Sequence, residues 1–192
     1  MTTHTHQTAP TQYVDAGAIL AGQRPKLVRR LILAGSGPRG GEGRATGVTP
    51  EAQASLSIKY SEPDHLWMNA FFTESEASRA AARAYLDRIH ARTINRDPPV
   101  SERVAPAQLE APVKWGAPRK GSFDYLKGIG QPTLVVDGTK DVVDIYTINS
   151  FILAQNLPNA QLILYPDANH GSHYQYPELF VAHVNLFSNG HA

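Results

Sequence analysis

"AQLILYPDANHGSHYQYPELF", residues 160–180, runs from an apolar stretch through a polar turn into a helix-like segment. Leu162, Ile163 and Leu164 form a short aliphatic run bounded by turn residues, which reads as a buried strand. Pro177 suits a first helical position, Phe180, Val184 and Phe187 recur on one helical face, and Gly190 stands just past the end. Between strand and helix, "NHG" sets His170 on a tight turn, where an imidazole is well placed to act as a base.

The same design occurs twice upstream. "PTLVVDG" at 132–138 and Leu31 to Ala34, closed by Gly35, are short apolar runs stopped by Gly or Pro. Runs of this kind predict strands buried on both faces, as in a parallel sheet. Between the second and third runs, "DIYTINSFILAQNLPNA" places Ile148, Ile152 and positions 155/156 at helical spacing until Pro158. This is a βαβ crossover, so the expected class is α/β with a mainly parallel sheet and flanking helices.

The middle of the chain differs in kind. From about 45 to 115 it is rich in Ala, Arg and Glu and has no strand-like run. Thr73 and Glu76 stand at capping-box spacing, followed by Ala81, Tyr85 and Ile89 at i, i+4, i+8, which predicts a helical insertion. The prolines of "RDPPVSERVAPAQLEAPVKWGAP" then lead back to the sheet in extended form. Trp67, Met68, Phe71 and Phe72 cluster before the insertion helix, and packing of that helix against the sheet is preferred for them over a pocket wall.

Composition narrows the function classes. The chain has 192 residues, 42% of them hydrophobic, enough for one sizeable core. With 18 basic and 17 acidic residues it lacks the electrostatic footprint of a nucleic-acid binder. It has no cysteine, which removes disulfides and thiolate chemistry. The N-terminal stretch has no basic start and too short an apolar run for a leader or membrane span, so a cytoplasmic protein is expected. Residues 1–12, with His4 and His6, read as a solvated arm.

In a parallel sheet, functional groups gather in loops at the carboxyl ends of the strands. Those loops are "GSGPRGG", "GTKDVVD" and "DANHGS". If the last two strands are neighbours, Asp141 and His170 meet at adjacent loop tips, where a carboxylate would fix the imidazole tautomer and stabilise the imidazolium. Asp137, inside the strand, and Asp144, deeper in the following segment, are the competitors of Asp141.

Over roughly residues 24–188 the sequence resembles the α/β-hydrolases. "RPKLVRRLILAGSGPRGG" is similar to the strand that follows that family's nucleophile helix, and the Ala/Arg-rich middle to its helical lid. "PTLVVDGTKD" is similar to the acid strand and loop. "LPNAQLILYPDANHGSHYQYPELFVAHVNLF" is similar to the final strand, catalytic-histidine turn and closing helix. The resemblance implies a partial α/β-hydrolase fold over 23–192 with a lid at about 45–115. It also implies Asp141 as catalytic acid, His170 as catalytic base, a small ester or lactone as substrate, and neither cofactor nor metal.

One departure matters. The family's serine nucleophile lies in G-x-S-x-G on a strained turn, which here should precede "RPKLVRRL". "VDAGAILAGQRP" stands there and contains no serine. Ser36 lies after the next strand with Ala34 and Pro38 where the motif needs glycines, and it reads as a small pocket-lining residue. "APTQYVDAGAI" looks like the family's first hairpin and "LAGQRPKLVRRL" like the end of its nucleophile helix, so residues 1–22 are expected to be an arm plus a hairpin remnant. The join falls near Ile19 to Ala21, which suggests that an internal segment has been lost.

Loss of the nucleophile alone costs a serine hydrolase on the order of a millionfold in turnover. The chain is therefore expected to be impaired or inactive in acyl-enzyme chemistry. A binding or protein-interaction module derived from a hydrolase is the alternative, and an exposed sheet edge would allow self-association. Two further motifs carry no site. His170, His173 and Asp167 have poor spacing for a metal, and His173 is expected to face solvent. "GSGPRGGEG" lacks the lysine and helix of a phosphate loop.

Overall fold

The computed structural model describes residues 16–42, 54, 63–96, 114–117, 121–142 and 146–190. Strands β1 (Leu31–Ala34), β2 (Thr133–Gly138) and β3 (Ala160–Tyr165) form one parallel sheet in the order β1-β2-β3. Leu33 is paired with Val135, and Val135 with Leu162. The three strands read from the sequence are thus present and adjacent.

Strand alternation sorts the apolar side chains into two cores. Leu31, Leu33 and Val135 share one face with Ala18 and Ala21 of α1 (Ala16–Gln23), with Leu126 and Ile129, and with Leu153 of α4 (Ile148–Asn156). Leu134, Val136 and Tyr165 share the other with Phe187 of the closing helix α6 (Pro177–Asn189), with Phe180 and Val184 packed against them. A Leu or Phe buried in this way contributes about 1.5–3 kcal/mol. Pro177 starts α6 and Gly190 ends it, as expected from the sequence.

Burial on both faces holds for β2 alone, every residue of which is buried. Ile32 of β1 is 37% exposed and Leu164 of β3 is 40% exposed, because both strands are edges of the sheet among the described residues. The crossover helix α4 is also rotated from its expected setting. Ile148 is largely exposed while Asn149, Ser150 and Leu153 are buried, because the two polar residues are bonded inside the fold.

Two helices of the insertion, α2 (Pro63–Phe71) and α3 (Glu76–Ala91), are described. The cap of α3 is Ser75, whose hydroxyl accepts from Ser78 N at 3.1 Å; Thr73 does not form the expected capping box. The buried stripe is Ser78, Ala82 and Leu86, one residue beyond Ala81, Tyr85 and Ile89. Residues 16–23 form a helix through the expected join, while the expected arm at 1–12, most of the expected hairpin stretch and Asp144 lie outside the described residues.

Candidate active site

The carboxyl ends of the strands are stitched together beyond the ladder. Gly35 N donates to Val136 O, Thr139 N to Tyr165 O and Lys140 N to Ala168 O, each at 2.9 Å. Gly138 permits the last approach, since a Cβ there would lie 2.1 Å from Ala168 O. The loops after β2 and β3 are therefore held in contact by backbone.

That contact brings Asp141 and His170 together. Asp141 is 2% exposed, and its Oδ2 lies 2.9 Å from His170 Nδ1. A carboxylate only accepts, so Nδ1 carries a proton and donates it to Asp141. Asn169 locks the arrangement: its Oδ1 accepts from His170 N at 2.9 Å and from Val142 N at 3.2 Å, bonding the two loops through one side chain. Asn169 was missed in the sequence, where its place in the turn was the available signal. The imidazole also packs on the β1 loop, since a Cβ on Gly35, whose φ is +56°, would lie 3.0 Å from its Cε1 and Nδ1.

Asp137 sits behind this pair. It is wholly buried, accepting from Gly138 N and from Ser150 Oγ, each at 2.7 Å. Burial, reinforced by the neighbouring Asp141 charge, pushes its carboxyl up to about 8. The sequence placed Asp137 within the strand but gave no sign of its partner on α4.

The insertion helices are fastened to the histidine loop at several points. Gly171 N donates to Phe71 O at 2.8 Å, and Ser78 Oγ to Gln175 Oε1 at 2.7 Å. Asp167, with a φ of +48°, accepts from Ser75 Oγ at 2.5 Å and from Thr73 Oγ1 at 2.9 Å. These hydroxyl bonds hold its carboxyl below the usual range. Asp167 and His170 are thus spent on different partners, and no group of three or more metal-ligand side chains occurs among the described residues.

His173 does not face solvent. It is half-buried, with its ring 4.0 Å from that of Tyr174 and 5.6 Å from that of Phe180. Burial first, and the nearby His170 second, lower it to about 4, so it is neutral near pH 7. On the open side of His170, Phe71 lies 5.4 Å away, with Trp67 stacked on Phe71 at 4.8 Å. Trp67 is 41% exposed and Phe72 is 1% exposed. The expectation of packing therefore describes Phe72, whereas Phe71 stands beside the imidazole and Trp67 is stacked on Phe71. A separate cavity of about 540 Å³ opens between the insertion and the loops, lined by Asn69, Phe72, Arg79, Lys140 and Asp167.

The glycine-rich loop after β1 turns its amides inward. Arg39 N donates to Tyr125 Oη at 2.7 Å, Gly40 N to Trp115 O at 2.9 Å, and Glu42 N to Asn149 Oδ1 at 2.8 Å. Gly41 N donates to Pro38 O at 3.1 Å, and Trp115 Nε1 closes on Gly37 O at 3.0 Å. Amides engaged in this way do not cradle a phosphate.

Searches against family models and against curated proteins gave no match. Solved structures do match. An alpha/beta hydrolase fold protein from Chitinophaga pinensis is 37% identical with a TM-score of 0.80, covering 91% of this chain and 61% of its own. The meta-cleavage product hydrolase from Pseudomonas fluorescens IP01 is 20% identical with a TM-score of 0.65, covering 90% and 60%. Est816, an N-acyl homoserine lactone degrading enzyme, is 23% identical with a TM-score of 0.54, covering 88% and 61%. The chain spans about 61% of the length of these proteins. With three parallel strands, a crossover helix and a closing helix, and with this likeness over 91% of its length, the chain is an α/β-hydrolase-fold protein in which the fold is present in part.

Proposed function

We propose that Asp141 and His170 are the acid and base of a hydrolase-type site for a small ester or lactone, and that this chain lacks the nucleophile needed to complete it. The observation that carries the reading is the 2.9 Å contact between His170 Nδ1 and the buried Asp141 carboxylate. With Nδ1 engaged by the carboxylate, Nε2 is the nitrogen that would take a proton from a hydroxyl or water, the task of a general base. The sequence supports the missing nucleophile: "VDAGAILAGQRP" stands where the resemblance puts the nucleophile turn, and it contains no serine. Helices α2 and α3 act as a lid, and Trp67 and Phe71 offer an apolar wall to the acyl portion of a substrate.

Labelling with a fluorophosphonate probe tests this. The intact chain is expected not to label, whereas the α/β-hydrolase from Chitinophaga pinensis, run in parallel, provides a related fold for comparison. Labelling that disappears in both Ser36→Ala and His170→Ala would show a working serine at Ser36 and overturn the missing nucleophile.

A second reading, a ligand-binding or interaction module, is favoured by the exposure of Trp67 on α2 and of Ile32 on the edge strand. An uncovered apolar edge invites pairing with a second copy. Sedimentation of the purified chain checks this, since a monomer at high concentration would exclude self-association.

A further inference from the structure

A second carboxyl lies directly behind the dyad with no role assigned to it so far. Asp137 is wholly buried on β2. Gly138 N donates to its Oδ1 and Ser150 Oγ to its Oδ2, and after burial itself the neighbouring Asp141 raises its carboxyl further. Asp141 in turn is bonded to His170 Nδ1. Four groups thus stand in line: Ser150, Asp137, Asp141 and His170.

The groups facing Asp137 can be taken element by element. Its partner across the ladder on β3 is Leu164, which is apolar. Helix α4 presents the Ser150 hydroxyl, which is neutral. The loop after β2 presents Asp141, and His170 lies beyond it. Lys140, the nearest cation in sequence, bears instead on Asp167. Two buried carboxyls in contact do not both ionise, because mutual repulsion and desolvation add. Two carboxyl groups joined by a hydrogen bond need one proton between them, since a carboxylate has no donor.

We propose that Asp137 is a positioning residue of the dyad: its carboxyl O–H donates to the Asp141 carboxylate and fixes the oxygen that His170 Nδ1 uses. This rests on the acid and base roles of Asp141 and His170, and it adds a third residue that acts through Asp141. Ser150 sets the rotamer of Asp137, so α4 is linked to the imidazole through two carboxyls. The pair carries a single negative charge near neutral pH. Deprotonation in the alkaline range supplies a second charge, breaks the bond between the carboxyls and disturbs the one to His170.

The experiment follows the ¹⁵N shifts of His170 in the intact chain between pH 5 and 10. Besides the titration of the imidazole itself, a second inflection near pH 8 is expected, reporting Asp137. In Asp137→Asn, whose amide donates to Asp141 without ionising, that inflection disappears while the bond to Nδ1 persists. In Ser150→Ala the inflection remains but shifts upward, because a hydrogen bond that favours the ionised form is gone. Folded wild-type protein with no second inflection, or an inflection that survives in Asp137→Asn, would overturn the proposal. The readout does not require turnover. Both inflections in a chain that labels with the fluorophosphonate probe through Ser36 would overturn the reading of a missing nucleophile while leaving the carboxyl pairing intact.

Discussion

Gly171 donates its amide to the carbonyl of Phe71 at 2.8 Å, so the residue next to His170 is bonded by backbone to the end of α2. The approach is close enough to require glycine: a Cβ at position 171 would lie 2.6 Å from Phe71 Cβ and 2.7 Å from its carbonyl oxygen. The histidine loop and the insertion helices therefore move together.

Gly171→Ala is expected to force these segments apart. Overpacking of this kind costs about 1–3 kcal/mol, and the contact here involves backbone, which yields less readily than a flexible side chain. Thermal denaturation should show a lower midpoint, and the ¹⁵N shifts of His170 should change. An unchanged melting curve would mean that the two backbones are not held together in solution.

Two buried groups give stability a specific pH profile. Asp137 is raised from 3.8 to about 8, so between those values the folded chain holds a proton that the unfolded chain has lost, and stability falls as pH rises. His173 is lowered from 6.5 to about 4, so between those values the unfolded chain holds the extra proton, and stability falls as pH drops. From about 4 to 6.5 the two slopes oppose each other and the contribution is nearly flat. From about 6.5 to 8 only Asp137 acts, and stability declines by up to about 1.4 kcal/mol per pH unit. Urea unfolding across this range checks the shape. Asp137→Asn should abolish the alkaline decline and leave an acid-side loss, whereas His173→Phe should extend the decline down toward pH 4.

Asp167 holds the start of α3 through the hydroxyls of Ser75 and Thr73. Its carboxyl is depressed below 3.8, so this contribution is complete above that value and fades as pH falls through the depressed one. Asp167→Ala is expected to speed amide hydrogen exchange at the first turn of α3 and to lower the melting temperature at pH 7. At pH 2 the difference from wild type should narrow. Equal exchange at neutral pH would show that Ser75 caps the helix without help.

The sequence disclosed what repeats along it. Leu31 to Ala34, Val135 and Leu162 carry strand patterns, and Phe180, Val184 and Phe187 carry a helical one, because each faces a core that extends along the element. Asp141 and His170 were legible as neighbours because parallel strands end together. Asn149 and Ser150 were not, since each faces inward to satisfy one particular partner, Glu42 or Asp137, and a single polar bond across the fold leaves no period. The same holds for Thr73, whose partner Asp167 is 94 residues away. His173 was misjudged because its neighbour Phe180 approaches across the turn between α5 (Ser172–Gln175) and α6.

The chain has two tryptophans, and the fold gives them opposite surroundings. Trp115 is 4% exposed and bonds to the glycine-rich loop through Gly37, whereas Trp67 is 41% exposed and stacked on Phe71. Their emission should accordingly separate into a blue, quencher-resistant component and a red, iodide-accessible one. The protein carries two native optical reporters, one for the integrity of its scaffold and one for the exposed face of α2.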